Sequence, residues 1–373
     1  MSKTVSNYVS GLGRWIRRPF ELKTRSCAAI ATAEAHPAGV LTLRRKEFLQ
    51  RLATMPLFGG VIYAGIRRQG GVSHEARVLA RHVGPAALAG GLADPSPVKE
   101  GTAQIPRAKI GKQEFSRVML GGNLLGGWAH ARDLIYADKL VKAYHTREKF
   151  FETLAIAEKC GFNCQFLDIT GVSWQVEYYR QKVGNIKFII QANNNAKRSP
   201  QEYLDVVKQA IDTGASGFYM QGIESFLSKK QYDLIARALE LGRSNGIPVG
   251  FGSHGLGAFK DVLAHDLVPD FWMKTLHHHN YWSATPGLKP KDNTYCEDPE
   301  EVIAFMKEVK QPWIAFKTLA AGAIHPKDGI RYAFSSGADF ACVGMFDFQV
   351  AENANIVCDI LGSDLRRERP WRA

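Results

Sequence analysis

Ser199-Pro200-Gln201-Glu202-Tyr203-Leu204-Asp205-Val206-Val207-Lys208-Gln209-Ala210-Ile211-Asp212-Thr213-Gly214-Ala215-Ser216-Gly217-Phe218-Tyr219-Met220 is one complete phrase of helix followed by strand. Ser199 reads as the cap, Pro200 suits a first turn whose N–H needs no partner, and the acid Glu202 stands at the third helical position. Gly214 supplies the left-handed residue that ends the helix. A short apolar strand, 217–220, comes next.

The phrase repeats along the chain. Asp298-Pro299-Glu300-Glu301 opens a second helix in the same way, and Gly161, Gly246 and Gly337 each follow a helix and precede an apolar run. The strands so marked are 117–121, 163–167, 187–190, 217–220, 249–252, 271–276, 313–317 and 340–344. Eight strands alternating with helices predict one α/β domain, a (β/α)8 TIM barrel over residues 105–362, with 363–373 as a C-terminal tail. No G-x-G-x-x-G follows the first strand, which argues against an open doubly wound sheet. Function is expected at the C-terminal strand ends.

The chain has 373 residues and a formal charge of +12. Residues 1–112 hold 18 Lys/Arg against 6 Asp/Glu, whereas 113–373 hold 30 of each. The excess therefore belongs to the leader, and a nucleic-acid partner is not expected. The six cysteines form no C-x-x-C pair and no zinc or iron–sulfur spacing, and Cys160 and Cys164 offer the one weakly indicated disulfide.

Within the leader, Arg44-Arg45-Lys46-Glu47-Phe48-Leu49-Gln50 precedes an apolar run from 52 to 66 that Arg67-Arg68 close. The segment 44–68 resembles a bacterial twin-arginine export signal with one extra residue between the arginines and Phe-Leu. Its apolar run falls short of the roughly 20 residues that span a bilayer, so a removable signal or shallow anchor is expected, and with it an exported, periplasmic or membrane-anchored protein. An amphipathic N-terminal helix is the plain alternative. Residues 1–43 put the motif deep enough to suggest an upstream start codon chosen in error, and 69–104 reads as a Gly/Ala/Pro linker.

Two segments carry a family resemblance. Residues 105–112, Ile-Pro-Arg-Ala-Lys-Ile-Gly-Lys, with Phe115-Ser116-Arg117-Val118-Met119-Leu120-Gly121-Gly122, resemble the opening hairpin and first strand of the aldo-keto reductases. Tyr332-Ala333-Phe334, then Val343-Gly344-Met345 and Gln349-Val350-Ala351-Glu352-Asn353, resemble the eighth strand and the helix that holds the adenosine end of NADPH. The resemblance implies an NAD(P)-dependent oxidoreductase with Gly344, Met345, Gln349, Glu352 and Asn353 at the cofactor. It also implies a catalytic Asp, Tyr, Lys and His. Asp168 matches the Asp; Ser173 stands where the Tyr is expected, Gln191 where the Lys is, and Gln221 where the His is. Asp347, near the 2′-phosphate position, favours NAD over NADP, or no nucleotide.

A polar ring is expected in place of the tetrad. Lys274, Leu276 and His278 alternate onto one face, taken as the barrel mouth because a Lys against the helix layer is costly. Lys317, Asp168, Gln191, Gln221 and His254 stand at other strand ends. His254 and His278 with Asp168 could hold a divalent metal; Lys274 or Lys317 could act as base or Schiff-base nucleophile; His278 could be the acid the missing Tyr does not supply. Plain packing and hydrogen bonding at the rim is the remaining reading.

Trp128, Trp174, Tyr281 and Trp282 follow strand ends, where flat rings stack on sugars. Asn123, Asn193, Asn194 and Asn195 add groups that bind hydroxyls. A small, carbohydrate-like substrate is the expected partner, with membrane contact only through the N-terminal segment. Three functions follow from these readings: an aldo-keto-reductase-like oxidoreductase with an altered tetrad acting on a sugar-like carbonyl compound; a metal- or lysine-dependent lyase, isomerase or hydrolase; or a catalytically inactive binding protein.

Overall fold

The computed structural model describes residues 105–127, 129, 134–171, 173–174, 177–178, 183–193, 198–281, 283–284 and 295–373. The leader with its expected signal, Trp128, Asn194, Asn195 and Trp282 lie outside the described residues. Among the described residues no helix is long and apolar enough to cross a membrane.

Each strand–helix phrase forms as the local chemistry dictates. Ser199 accepts from the Glu202 N–H and Glu202 reaches back to Ser199, a reciprocal cap on the helix Pro200–Asp212. Asp298 caps Pro299–Glu308 through the Glu301 N–H. Gly161, Gly214, Gly246 and Gly337, the four expected helix stops, all have positive φ.

A hairpin, β1 (Arg107–Ile110) and β2 (Gln113–Ser116), precedes the barrel. The barrel strands are β3 (Val118–Leu120), β4 (Cys164–Asp168), β5 (Lys187–Gln191), β6 (Gly217–Gln221), β7 (Val249–Ser253), β8 (Phe271–Thr275), β9 (Trp313–Phe316) and β10 (Phe340–Val343). They close in sequence order, and β10 pairs parallel with β3. At that seam glycine is required: a Cβ on Gly121 would stand 2.8 Å from the Gly344 nitrogen.

Alternation divides the core in two. Met119, Phe166, Ile189, Tyr219, Phe271, Met273, Ile314 and Phe340 fill the barrel, and Ile110 and Phe115 of the hairpin plug it from below. Trp272, Leu276, Phe251, Val249, Trp313 and Ala315 face the helices. Residues 363–373 pack under the floor, where Arg369 is buried against Asp339.

Helices α1 (Gly122–Leu125), α2 (Ala137–Tyr144) and α3 (Arg147–Lys159) lie between β3 and β4, and α4 (Pro200–Asp212) to α10 (Asp347–Leu361) follow. Of these later helices the site uses α5 (Glu224–Leu227), α9 (Pro326–Ser335) and α10. A clamp joins the first excursion to the last helix: Tyr144 Oη donates to Asp347 at 2.6 Å and Lys149 Nζ at 3.1 Å. Cys160 and Cys164 are free buried thiols, so the weakly indicated disulfide does not form.

Candidate active site

The C-terminal strand ends bring one row of polar groups together. Asp168, the last residue of β4, accepts through Oδ1 from the Thr170 N–H (2.9 Å) and hydroxyl (2.7 Å), and through Oδ2 from Asn193 Nδ2 (3.0 Å). Asn193 Oδ1 accepts from Gln191 Nε2 at 3.3 Å, and Gln191 Oε1 accepts from the Tyr219 hydroxyl at 2.6 Å. The row runs across three strands and ends on a phenol in the barrel. Burial pushes that phenol well above its usual range, so it is a weak acid that donates to a neutral amide. Gln221 adjoins it, its Oε1 buried without a hydrogen-bond partner.

A second cluster centres on His254, just past β7. Its Nδ1 lies 2.7 Å from Thr275 Oγ1, and its ring lies 4.9 Å from Tyr295 and 5.2 Å from Phe316. Lys317, held at a φ of +57°, sets Nζ 3.8 Å from the centre of the Tyr295 ring. Asp168, Gln191, Asn193, Gln221, His254 and Lys317 thus stand at strand ends as expected. Asn123 is exposed on α1.

Lys274 does not. Phe271, Met273 and Thr275 face the barrel, so Lys274 between them faces the helix layer beside Trp272. Its cost there is partly offset: Nζ donates to the carbonyls of His254 at 2.5 Å and Thr275 at 3.2 Å. Burial lowers its ammonium to about 8, with Cys296, Glu224 of α5 and Glu301 pulling the other way. The cost of burying a Lys does not set the strand face; the apolar residues along the strand do.

The histidine run also departs from expectation. His277 Nε2 accepts from the backbone N–H groups of Tyr295 (3.1 Å) and Cys296 (3.0 Å), and His279 Nε2 lies 2.5 Å from the Cys296 carbonyl. His278 packs edge-on to Tyr332 of α9, 5.1 Å between centres, and accepts from the Asn280 N–H. Tyr281 lies against the rings of His277 and His278. These side chains fasten the 295–296 segment and α9. His254, His278 and Asp168 are therefore not assembled as a metal site, and among the described residues no group of three or more His, Cys, Asp or Glu is placed to hold a metal ion.

No family model matches the sequence, and no curated protein matches it. Two solved structures of a protein described as an aldo-keto reductase of Pseudomonas aeruginosa match with a TM-score of 0.51 and 14% identity, over 71% of this chain and 99% of theirs. The fold is shared with that protein. A structure containing NADPH matches at a TM-score of 0.47 and 10% identity, over 69% of this chain and 91% of that one. A 3-deoxy-D-arabino-heptulosonate 7-phosphate synthase of Thermotoga maritima matches at 0.41 and 12%, over 71% and 96%.

The sequence resemblance places the adenosine end of a nicotinamide cofactor at α10. Met345 and Asn353 are buried there at 1% and 3% exposure. Gln349 turns back to accept from the Phe346 N–H at 3.1 Å. Gly344 borders the seam and Glu352 is exposed. Both oxygens of Asp347 are engaged by Tyr144 and Lys149. Burial alone would raise that carboxyl, but the two hydrogen bonds, the charge of Lys149 and the Phe348 N–H together hold it below the usual range. The residues at the start of α10 do not fit a nucleotide: most of their polar atoms already serve the protein.

Sequence reading missed Tyr219, Thr275 and Tyr295. The first two were recoverable from alternation, since they share a face with Phe271 and Met273 or their counterparts on β6. Tyr295 follows a long segment, and no local pattern marked it.

Proposed function

We propose that this chain is an enzyme that moves protons on a small hydroxylated carbonyl compound at the C-terminal mouth of the barrel, with His254 as the proton-transfer group. The contact of Thr275 Oγ1 with His254 Nδ1 carries the reading, because it fixes an imidazole at a strand end where barrel enzymes place their chemistry. Histidine takes up and returns protons near neutrality. Lys317, which shares the Tyr295 ring with His254, supports charge on a carbonyl oxygen. In this reading His254 takes a proton from the carbon next to the carbonyl, and the C–H electron pair passes to form an enolate. A proton passing from the hydroxyl on that carbon to the enolate oxygen gives an enediolate charged on the second oxygen. Returning the carbon proton from His254 to the former carbonyl carbon, as the second oxygen becomes the new carbonyl, completes an isomerisation. The amide row from Gln191 to Asp168 supplies groups suited to substrate hydroxyls.

The test is proton NMR of the full chain in deuterium oxide with a panel of aldoses, ketoses and hydroxyketones. Exchange or isomerisation by the native chain, lowered by about 100-fold or more in His254→Gln, is the expected result. No exchange with any member, or an unchanged rate in the variant, overturns the reading. A second reading, an aldo-keto-reductase-like oxidoreductase, is favoured by the shared fold. Oxidation of NADH or NADPH by the same panel would select it instead. Export directed by residues 44–68 is a separate proposal, tested by fractionating cells that carry Arg44→Lys with Arg45→Lys.

A further inference from the structure

On the flank of β4, beside the mouth, lies a cavity of about 300 Å³. Three glycines, Gly122, Gly126 and Gly127, bring bare backbone to one side. Phe150, Leu167 and Trp174 form an apolar wall. The polar lining is Lys142, His145, Asp168 and Thr170.

His145 distinguishes this space from a packing fault. It is 5% exposed, and its ring is held by stacking on Phe346 at 5.2 Å and by Tyr144 edge-on at 5.1 Å. Its Nδ1 lies 3.2 Å from the Val141 carbonyl, which can only accept, so Nδ1 carries the hydrogen and Nε2 offers a lone pair. Nε2 is buried and has no hydrogen-bond partner. Burial lowers the imidazole's affinity for a proton, so the ring enters the site as a neutral acceptor. A buried acceptor without a donor is costly, and a ligand hydroxyl would remove that cost.

The charges narrow the ligand class. The Asp168 carboxylate disfavours an anion, and the Lys142 ammonium, 3.9 Å from Asp138, disfavours a cation. An all-apolar guest would leave His145 and Asp168 unmet. Hydroxyls on one side and a C–H face on the other satisfy both walls, and the volume suits a single small ring at the low end of ligand pockets.

We infer that this cavity holds one ring of a neutral sugar or cyclic polyol. One ring hydroxyl donates to His145 Nε2, another meets Thr170 or Asp168, and the C–H face lies on Phe150, Leu167 and Trp174. Asp168 joins the cavity to the mouth, its Oδ1 turned to Thr170 and its Oδ2 to Asn193. The inference extends the proton-transfer reading and rests on it for one point only, that the carbonyl-bearing part of the same substrate reacts at the mouth.

The test is saturation-transfer NMR and calorimetric titration of the full chain with the methyl pyranosides of glucose, galactose and mannose. Glucuronate and glucosamine serve as charged controls. A neutral pyranoside should bind, with the charged analogues about tenfold weaker, and His145→Leu and Trp174→Ala should each weaken binding about tenfold with the fold intact by circular dichroism. Should either variant fail to fold, Thr170→Val at an exposed position replaces it, with the same expected direction. His254→Gln should leave this binding unchanged while lowering turnover by about 100-fold or more, which separates failure of the cavity inference from failure of the proton-transfer reading. Absence of pyranoside binding overturns the inference. So do charged analogues that bind as well as neutral ones, affinity that survives in both folded cavity variants, or affinity lost in His254→Gln.

Discussion

Arg369 Nη1 donates to Asp339 Oδ2 at 2.5 Å, with both side chains wholly removed from solvent. The same carboxylate accepts from the backbone N–H of Trp313 at 2.9 Å and that of Arg372 at 2.6 Å. One group thus ties the last residues of the chain to the floor of β9 and β10. Asp339→Asn leaves a buried guanidinium without its counter-charge and should cost about 3 to 5 kcal/mol, read as a drop in the urea midpoint. A loss below about 1 kcal/mol would show that the pair is solvent-relaxed.

His277 makes stability depend on acid. Burial takes its imidazole from 6.5 down to about 4, and its Nε2 must stay unprotonated to accept from Tyr295 and Cys296. The folded value lies below the unfolded one, so the contribution is complete above 6.5 and is lost as pH falls from 6.5 towards 4. The native chain should lose on the order of 3 kcal/mol across that window relative to His277→Gln, measured by denaturant titration at several pH values. Parallel pH profiles for the two chains would refute this.

Lys274 acts in the alkaline range with the same sign. Its folded value of about 8 lies below the ordinary 10.5, so stability is gained as pH rises from 8 to 10.5 and lost on the way back. At neutral pH the buried ammonium is a burden that its two carbonyl acceptors only partly relieve. The difference in unfolding free energy between the native chain and Lys274→Met should therefore move in favour of the native chain over that interval. A constant difference would place Lys274 in contact with solvent.

Tyr219 and His254 should separate cleanly in kinetics. Burial keeps the Tyr219 phenol protonated, so Tyr219→Phe should retain turnover within about tenfold while losing roughly 1 to 2 kcal/mol of stability from the unmet Gln191 oxygen. A loss of turnover in Tyr219→Phe as large as in His254→Gln would move the proton donor into the barrel.

The architecture was legible because each boundary is written in local chemistry. Ser199, Asp298 and the four glycines from Gly161 to Gly337 need no tertiary information to cap or stop a helix, and all did so. The candidate site was legible only where a residue ends a strand, as Asp168, Gln191 and Gln221 do. Lys274 was misplaced because facing direction is a property of the whole strand. Phe271 and Met273 set that direction, and the charge of Lys274 after them does not outweigh their burial. His278 was read as a ligand with His254 and Asp168, and nothing in sequence reveals that it packs on Tyr332 or that Tyr295 and Cys296 arrive beside His277.

The clamp of Tyr144 and Lys149 on Asp347 has a consequence for the order of assembly. The wall of the side cavity stands on α2 and α3, yet its anchor is the first residue of α10, about two hundred positions later. During synthesis that wall has no anchor until the ribosome has passed the eighth barrel strand. Any site it encloses is therefore completed last, after the barrel that carries it has closed.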